Sequence, residues 1–141
     1  MLVADRSVGY TKFGVSDGSG LRPNTDTLPY RGTSAGGGYS TVEDLSKFAT
    51  ALQTNKLLDA KHTEMLTMGK VETPGGGKYA YGFQDEEVNG LRFFGHGGGA
   101  PGMNGELKIC PCPEYVIVVL ANMDPPAASR VADFITNRLP K

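Results

Sequence analysis

The feature that most constrains this chain is a run of glycines surrounding a single histidine. The run ends an apolar segment and is followed at once by another strand-like segment; it reads Phe93-Phe94-Gly95-His96-Gly97-Gly98-Gly99-Ala100-Pro101-Gly102. Glycine at this density lets a ligand approach backbone N–H groups, because no Cβ atom stands in the way. A histidine there can bind an anion, polarise a carbonyl group or relay a proton. The run therefore predicts part of an enzyme site, for which the chain offers no complete set of partners.

Length and composition favour one ordered, loop-rich domain. The chain has 141 residues, a formal net charge of −1 and 20 glycines. Acidic and basic residues are interspersed, which argues against a nucleic-acid-binding protein, since such proteins need a clustered basic face. The longest apolar run, residues 115–121, is far too short to span a bilayer. The first six residues do not form a signal peptide, so the sequence leaves the cellular compartment open.

The first part of the chain predicts an irregular segment and then a helix. Residues 1–38 contain many turn-forming residues and little periodicity. Ser40 and Glu43 have the spacing of a capping box, which predicts a helix that extends to about Thr54. The positions expected to face the core recur at helical spacing, and they are Val42, Leu45, Phe48, Ala49 and Leu52.

Two further helices are predicted. Asp59 can cap a helix that ends near Met68, so that residues 39–70 form a helical region. A closing helix is expected over residues 125–139, because proline is tolerated in the first turn of a helix. The apolar residues predicted to point inward are Met65 and Leu66 in the first of these helices, and Val131, Phe134, Ile135 and Leu139 in the second.

Residues 78–121 change to the period of a β-sheet. Tyr79, Tyr81 and Phe83 alternate with other residues, and Asn89-Gly90 is the strongest two-residue hairpin signal in the chain. Residues 91–95, 106–109 and 115–120 supply further strands, and the last is expected to be buried on both faces. The sequence therefore predicts an α+β fold with an antiparallel sheet of about four strands flanked by helices.

No metal or cofactor site is predicted. Cys110 and Cys112 flank a proline, a spacing unlike that of zinc or thioredoxin motifs, and no second Cys/His pair completes a site. His62 lies among charged residues and is expected at the surface. The acidic residues 85–87 are expected to be solvated, and the aromatic residues Tyr79, Tyr81, Phe83, Phe93 and Phe94 are expected to pack on the sheet.

One alternative is an esterase of the α/β-hydrolase type. Ser34 lies in Gly32-Thr33-Ser34-Ala35-Gly36, which fits the nucleophile elbow, and residues 96–99 fit the His-Gly-Gly-Gly oxyanion motif. The context disagrees, because no buried strand precedes Ser34 and no histidine lies near the end of the chain. The oxyanion motif also follows the elbow instead of preceding it. This alternative is therefore the weaker one, and Ser34 is expected to be a loop hydroxyl.

Two segments together resemble the C-terminal part of the serine β-lactamase and penicillin-binding-protein-like hydrolases. They are Ser34-Ala35-Gly36-Gly37-Gly38-Tyr39-Ser40-Thr41-Val42-Glu43-Asp44-Leu45 and Gly95-His96-Gly97-Gly98-Gly99-Ala100-Pro101-Gly102. Residues 122–126, leading into the last helix, are also similar. The nearest members of the family are the class C-related esterases and the D-aminopeptidase-like proteins. The resemblance covers most of residues 8–140 and implies a partial fold of that family.

The resemblance also implies roles for three residues. His96-Gly97-Gly98 takes the position of the family's Lys-Thr-Gly strand. By that match, His96 contacts the substrate's acidic group or supports a proton relay, and Gly98 keeps the strand edge open. The backbone N–H of Gly99 is then one of two oxyanion donors. The resemblance implies no cofactor and no metal, and an exported parent protein is compatible with it.

The same family pattern is incomplete in this chain. No serine has a lysine three residues later, and no tyrosine has an asparagine two residues later. Thr67 and Lys70 have the first spacing, but they are placed at a helix end. The leading hypothesis is thus a fragment of a serine hydrolase that acts on amide or ester bonds through an acyl-enzyme and is inactive alone. Its partners are an acyl substrate, small or peptide-like, and the N-terminal half of the same fold.

A second hypothesis is a non-catalytic binding or self-association module. A fragment of a fold exposes apolar surface and an unpaired strand edge, and both features promote association. In this hypothesis the chain forms a homodimer or a higher oligomer.

Overall fold

The computed structural model describes residues 5–16, 18, 20–27, 32–111 and 115–140. These residues form an α+β fold, as the sequence predicts. Among them, no helix has the length and apolar character needed to cross a membrane. The elements in chain order are β1 (Tyr10–Thr11), β2 (Arg22–Pro23), α1 (Val42–Gln53), α2 (Ala60–Thr67), β3 (Val71–Glu72), β4 (Lys78–Tyr79), β5 (Gln84–Val88), β6 (Leu91–Ala100), β7 (Met103–Cys110), β8 (Tyr115–Ala121) and α3 (Ala127–Thr136).

The main sheet is an antiparallel meander in the order β3-β4-β5-β6-β7-β8. It has six strands where the sequence predicted about four, and the two additional strands, β3 and β4, have two residues each. The strand predicted from the alternation of Tyr79, Tyr81 and Phe83 is interrupted, because Gly82 adopts a positive φ of 83°. The chain turns there, and β4 and β5 form on either side. Strands β1 and β2 pair separately within the otherwise irregular segment.

Two-residue turns fix the register around β6. Asn89-Gly90 joins β5 to β6, and Pro101-Gly102 joins β6 to β7. Asn89 and Gly90 have positive φ values of 53° and 80°, as the predicted hairpin turn requires. Because the residues flanking a two-residue turn form a hydrogen-bonded pair, even-numbered residues of β6 bond β7. Odd-numbered residues of β6 direct their N–H and C=O groups toward β5.

Helices cover both faces of the sheet. On the side that we call the α3 face, Leu91, Phe93, Cys110 and Ile117 form a buried cluster with Ala132 of α3. On the opposite side, which we call the α1 face, Phe94 and Ile109 pack against Ala49 and Leu52 of α1. Successive strand residues point to opposite faces, so the adjacent Phe93 and Phe94 belong to different clusters.

The first helix begins one residue later than the capping box predicted. Thr41 is the N-cap, and its hydroxyl oxygen accepts a hydrogen bond from the amide of Asp44 at 3.1 Å. The buried residues of α1 are Ala49 and Leu52, whereas Val42 and Phe48 are exposed. The prediction that Val42 and Phe48 face the core is wrong, because α1 covers the sheet only with the side that carries Ala49 and Leu52.

The second helix is capped as predicted. The carboxylate of Asp59 accepts a hydrogen bond from the amide of His62 at 2.8 Å, and the side chain of His62 is about half exposed. Met65 is exposed, contrary to the prediction, while Leu66 packs against the α1-face cluster. The buried residue at this end of the helix is Thr67, whose hydroxyl donates to the carbonyl oxygen of Thr63 at 3.0 Å.

The apolar side predicted for the closing helix is only partly confirmed, because Leu139 packs against the α3-face cluster but lies beyond the end of α3. The buried residues are Ala128, Ala132 and Thr136. The larger Val131, Phe134 and Ile135 are 47%, 58% and 37% exposed. Small residues allow the helix to lie close to the strands, and the bulky apolar residues are left on the outward sides. Hydrophobicity alone therefore indicates the wrong side of this helix.

Ion pairs join the elements on each face. Asp85 is nearly buried, and its carboxylate accepts hydrogen bonds from Arg92 at 2.8 Å and from the amide of Gly69 at 2.7 Å. Lys108 bonds Glu86 at 2.8 Å and Asp133 of α3 at 3.1 Å. Burial lowers the pKa of Lys108, but its two carboxylate partners outweigh that effect and raise it overall. The expectation that residues 85–87 are merely solvated is thus wrong for Asp85 and Glu86.

Strand β8 lies at one edge of the sheet. Of its described side chains only Ile117 is buried, and the exposed Leu120 lies near the end of the strand. The predicted burial of this strand on both faces is therefore only partial, because no described strand pairs with its outer edge over residues 116–120.

Candidate active site

The two glycine-rich segments of the sequence meet at one cavity of about 680 Å³. One wall comes from residues 33–40, which lead into α1, and the opposite side comes from the ends of β6, β7 and β8. Residues from the N-terminal segment complete the cavity, and they are Ser7, Gly9, Asn24 and Thr27. Segments far apart in the sequence thus form a single concave site, which is the usual setting for a ligand.

The floor of the cavity is an uncovered part of the α1 face. Gly98, Ala100, Met103, Gly105 and Leu120 line it, and their pairing places them on the same side of the sheet as Phe94 and Ile109. Helix α1 covers the sheet near Phe94, but it begins only at residue 42. Among the described residues, the end of the sheet beyond the helix is covered by residues 33–40 and by the N-terminal segment, and the space between them and the sheet stays open.

Neighbouring glycines of β6 differ in the space around them. At Gly95 an added Cβ would lie 1.8 Å from the carbonyl oxygen of Leu107, and at Gly99 it would lie 2.4 Å from the ring of Pro125. At Gly98 it would meet no atom within 4 Å. Gly95 therefore allows close approach of the β7 backbone and Gly99 allows close approach of Pro125, whereas Gly98 leaves the cavity floor without a side chain.

Half of β6 has an unpaired edge among the described residues. Strand β5 pairs with β6 only as far as Gln84 opposite Gly95, while β7 pairs with β6 as far as Ala100. Since odd-numbered residues of β6 point toward the β5 side, the backbone N–H groups of Gly97 and Gly99 face an edge that no described strand occupies. An edge of this kind can donate hydrogen bonds to an extended ligand or to a developing oxyanion.

His96 lies beside the cavity and is not among the residues that line it. Its Nδ1 is 2.5 Å from the carbonyl oxygen of Gly97, and its Nε2 is 3.0 Å from the hydroxyl oxygen of Tyr79. The two rings meet edge to face, with centroids 5.8 Å apart. Of the three predicted site residues, the structure thus places Gly98 and Gly99 in the cavity and His96 next to it.

Asn104 connects the cavity floor to α3. Its side-chain Nδ2 donates to the carbonyl oxygen of Gly98 at 2.7 Å. Its Oδ1 accepts from the amides of Ala128 at 2.7 Å and Ser129 at 3.2 Å. Asn104 is buried, and Pro126 at the start of α3 provides no side-chain cap. One amide group therefore satisfies the helix N-terminus and holds the strand of the site.

The turn after β6 is held by two further polar side chains. Asp124 accepts hydrogen bonds from the amides of Gly102 at 2.7 Å and Lys12 at 2.8 Å. A hydrogen bond from the side chain of Thr11, together with these two amides, lowers the pKa of the Asp124 carboxyl. The buried Asn24 donates to the carbonyl oxygen of Pro101 at 2.8 Å. These contacts attach the N-terminal segment to the site.

The described lining of the cavity carries no carboxylate, ammonium, guanidinium or imidazole group. Its polar groups are hydroxyls, amides and backbone. Within the described ranges there is also no group of three or more His, Cys, Asp or Glu residues able to hold a metal ion. Cys110 is buried in the α3-face cluster, and Cys112 lies outside the described residues, so the expected turn with two thiols remains a prediction.

The α/β-hydrolase alternative does not fit this fold. Every strand pairing of the main sheet is antiparallel. Ser34 lies in a short turn closed by two hydrogen bonds between Thr33 and Gly36, and it is exposed and absent from the cavity lining. A nucleophile elbow needs a strand–turn–helix arrangement at the edge of a sheet. Ser34 is therefore a loop hydroxyl in this fold.

Sequence reasoning missed Tyr79 and Asn104. Tyr79 was assigned to packing because it alternates with other aromatic residues, and that pattern carries no information about its hydroxyl group. Asn104 lies between two predicted strands and directly precedes a glycine, a pair of residues that is typical of a turn. The sequence therefore gives no signal that Asn104 is buried in β7 and bonds α3.

Comparisons with known proteins identify the family and the fold of the chain. A sequence profile of the family described as Beta-lactamase matches residues 5–139. The fold is similar to the crystal structure of a penicillin binding protein from Bacillus halodurans, with a TM-score of 0.83 and 29% sequence identity. The match covers 96% of this chain and 41% of that protein's chain, so this chain spans less than half of the relative. A search of curated proteins gives no match.

Alanine substitutions at two glycines of β6 should have opposite effects on stability. Gly95→Ala should lower the free energy of unfolding by about 2 kcal/mol or more, because its Cβ would overlap backbone that cannot move aside. Gly98→Ala should leave it unchanged or raise it by up to about 1 kcal/mol, since the position is extended and open. Urea unfolding followed by circular dichroism measures both values. An equal loss in the two variants would contradict the assignment of the faces.

Proposed function

This chain belongs to the Beta-lactamase family, and we propose that it forms the substrate-binding edge of a β-lactamase-like serine hydrolase. The observation that carries this proposal is the convergence of residues 33–40 and 98–105 on one cavity. Beside that cavity, the N–H groups of Gly97 and Gly99 face a strand edge that no described strand occupies. The reaction of the parent enzyme is then the cleavage of an amide or ester bond through an acyl-enzyme, without a metal or cofactor.

In this proposal the backbone of β6 performs the electrostatic part of the reaction. The N–H of Gly99 is one oxyanion donor, and the second donor is the amide of a nucleophile that is supplied from outside these 141 residues. Such donors are already oriented before the reaction, and losing one typically reduces the rate about 10²–10³-fold. Asn104 supports this role, because it holds the carbonyl oxygen of the preceding Gly98.

The cavity lining favours an uncharged acyl group. Met103, Leu120 and the glycine backbone offer apolar surface, and Asn122 and several hydroxyl groups offer neutral hydrogen-bonding partners. A carboxylate or ammonium group enclosed there would lose water without gaining an opposite charge, which is unfavourable. We therefore place the neutral part of an amide or ester substrate in this cavity.

The chain lacks the groups that would attack such a substrate. No Ser-x-x-Lys and no Tyr-x-Asn occurs in the sequence. Thr67 and Lys70 have the spacing of the first motif, but Thr67 is buried and its hydroxyl bonds the helix backbone. Lys70 lies over the ring of Tyr81, which is largely exposed. The chain alone is thus expected to bind an acyl compound without reacting with it.

Two measurements test this function. Incubation with a chromogenic β-lactam or a p-nitrophenyl ester should give no turnover above buffer, and intact-mass analysis should find no adduct. In ¹H–¹⁵N spectra, the uncharged N-acetyl-L-phenylalanine methyl ester should shift the amide signals of Gly36, Gly98 and Gly99. The free acid N-acetyl-L-phenylalanine should shift them several-fold less at the same concentration, because the described lining of the cavity has no cationic group.

The variants His96→Ala and Ser34→Ala distinguish a chain that only binds the acyl compound from a chain that holds a complete catalytic site. Hydrolysis or an adduct that disappears in either variant would mean that the chain holds a complete site, and the proposal would be wrong. Ester-induced shifts confined to residues far from the cavity, such as Asn89 and Gly90, would equally contradict it. Gly90 is a useful reference because it lies in the turn at the other end of β6.

A second candidate function, self-association, is favoured by the exposed surface of the chain. The accessible surface is 9275 Å², whereas a folded monomer of 15.0 kDa exposes roughly 7,000 Å². The excess is larger than the area of about 800 Å² that each partner buries in a standard interface. Val131, Phe134 and Ile135 of α3 contribute apolar groups to this surface. We propose that a second copy covers it.

The open edge of β8 is the element that a second copy would extend. Residues 115–121 contain no charged side chain and no proline, which are the usual protections of an edge strand. Since even-numbered residues of β7 bond β8, the N–H groups of Val116, Val118 and Leu120 point outward. Two such edges can pair antiparallel about a two-fold axis through Val118, because each offers the other the same donors and acceptors.

Sedimentation and hydrogen exchange test this dimer. The chain should sediment as a dimer, and the amides of Val116, Val118 and Leu120 should become protected only as the concentration rises. Phe134→Gln should weaken the dimer about ten-fold, since a large apolar contact is lost. Phe13→Gln is the matched control, because Phe13 is 64% exposed, similar to the 58% of Phe134, but lies in the N-terminal segment. A monomer at all concentrations, or equal effects of the two variants, would exclude this function.

A further inference from the structure

Both ring nitrogens of His96 are engaged, although the ring is exposed. Nδ1 lies 2.5 Å from the carbonyl oxygen of Gly97 and Nε2 lies 3.0 Å from the hydroxyl oxygen of Tyr79. A carbonyl oxygen can only accept a hydrogen bond, so Nδ1 must carry a proton. In the neutral ring Nε2 is then the acceptor, and the hydrogen of the bond to Tyr79 comes from the phenol.

The backbone fixes each end of this pair. Tyr79 belongs to β4, which pairs with both β3 and β5, and its carbonyl oxygen accepts a hydrogen bond from the amide of Lys70 at 2.9 Å. His96 belongs to the part of β6 that still pairs with β7. The two side chains meet across the edge that β5 leaves open. Their edge-to-face arrangement, with an angle of 85° between the rings, directs the phenol at the imidazole nitrogen.

We propose that Tyr79 is a positioning residue that fixes the tautomer and orientation of His96. Its hydroxyl donates to Nε2, so the neutral imidazole carries its proton on Nδ1 and donates it to Gly97. This inference rests on the proposed function in one respect only, which is that His96 lies at the substrate-binding edge formed by β6. The hydrogen-bonding geometry itself does not depend on any reaction.

The pairing determines what the site presents to a ligand. When His96 is neutral, the phenol hydrogen of Tyr79 is bonded to Nε2 of His96. The free lone pair of the Tyr79 oxygen can then only accept a hydrogen bond from a ligand. With a protonated His96, Nε2–H donates to that oxygen, and the phenol hydrogen is released to donate outward. One proton on His96 therefore converts Tyr79 from an acceptor to a donor at the edge of the site.

Nitrogen NMR of the imidazole rings tests the tautomer directly. The chain has only two histidines, so two-bond ¹H–¹⁵N spectra of ¹⁵N-histidine-labelled protein at a pH where the imidazoles are neutral are simple to assign. In the unmodified chain, the signals of His96 should show a protonated Nδ1 and an unprotonated Nε2. Tyr79→Phe should change the tautomer ratio of His96 about five-fold or more toward Nε2–H, because one hydrogen bond that favours Nδ1–H is lost.

Two controls make the result specific. Tyr81→Phe removes a phenol two residues away whose side chain contacts Lys70 instead of histidine, and it should leave His96 unchanged. His62, whose Nδ1 is 2.7 Å from the carboxylate of Asp59, should keep its spectrum in both variants and report that the fold is intact.

Two outcomes would overturn the assignment. One is an unmodified chain in which His96 carries its proton on Nε2, and this result decides the question even if Tyr79→Phe fails to fold. The other is a folded Tyr79→Phe variant with the same His96 signals as the unmodified chain. Neither outcome depends on catalysis. The tautomer result and the acyl-compound measurements can therefore fail independently.

Discussion

The side chain of Asn104 is the contact on which the arrangement of the site depends. Its amide donates to Gly98 in the cavity floor and accepts from two backbone N–H groups at the start of α3. Those N–H groups have no local cap, and a buried helix end without partners is costly. Because one buried group serves both elements, the position of the helix on the α3 face and the position of the strand edge are fixed together.

The lengths of two turns then determine which backbone groups are available. Two-residue turns precede and follow β6, so its odd-numbered residues point toward β5 and its even-numbered residues toward β7. Strand β5 begins at Gln84, opposite Gly95, so its pairing with β6 stops five residues before the end of β6. The same alternation that buries Phe93 and Phe94 on opposite faces therefore directs the amides of Gly97 and Gly99 to an edge where no described strand pairs with them. Gly98 opens toward the cavity.

Features determined by neighbouring residues could be predicted from the sequence. The Asn89-Gly90 turn, the Asp59 cap and the change from helical to strand periodicity depend on local chemistry. Features that depend on distant segments could not be predicted. For example, the buried side of α3 consists of Ala128, Ala132 and Thr136, because small side chains allow the helix to lie close to the sheet. The Tyr79–His96 bond likewise depends on the turn at Gly82 that separates β4 from β5, which the alternation of Tyr79, Tyr81 and Phe83 did not predict. Gly98 and Gly99 were found only through the family resemblance, although their surroundings now give physical reasons for glycine.

Amide hydrogen exchange along β6 shows whether this strand presents an open edge to a ligand. We expect the exchange rates to alternate, with slow exchange at His96, Gly98 and Ala100, which bond β7. Exchange at Gly97 and Gly99 should be faster by orders of magnitude, because no described strand pairs with them. Uniform protection of all five amides, or uniform rapid exchange, would contradict the open edge and the function built on it.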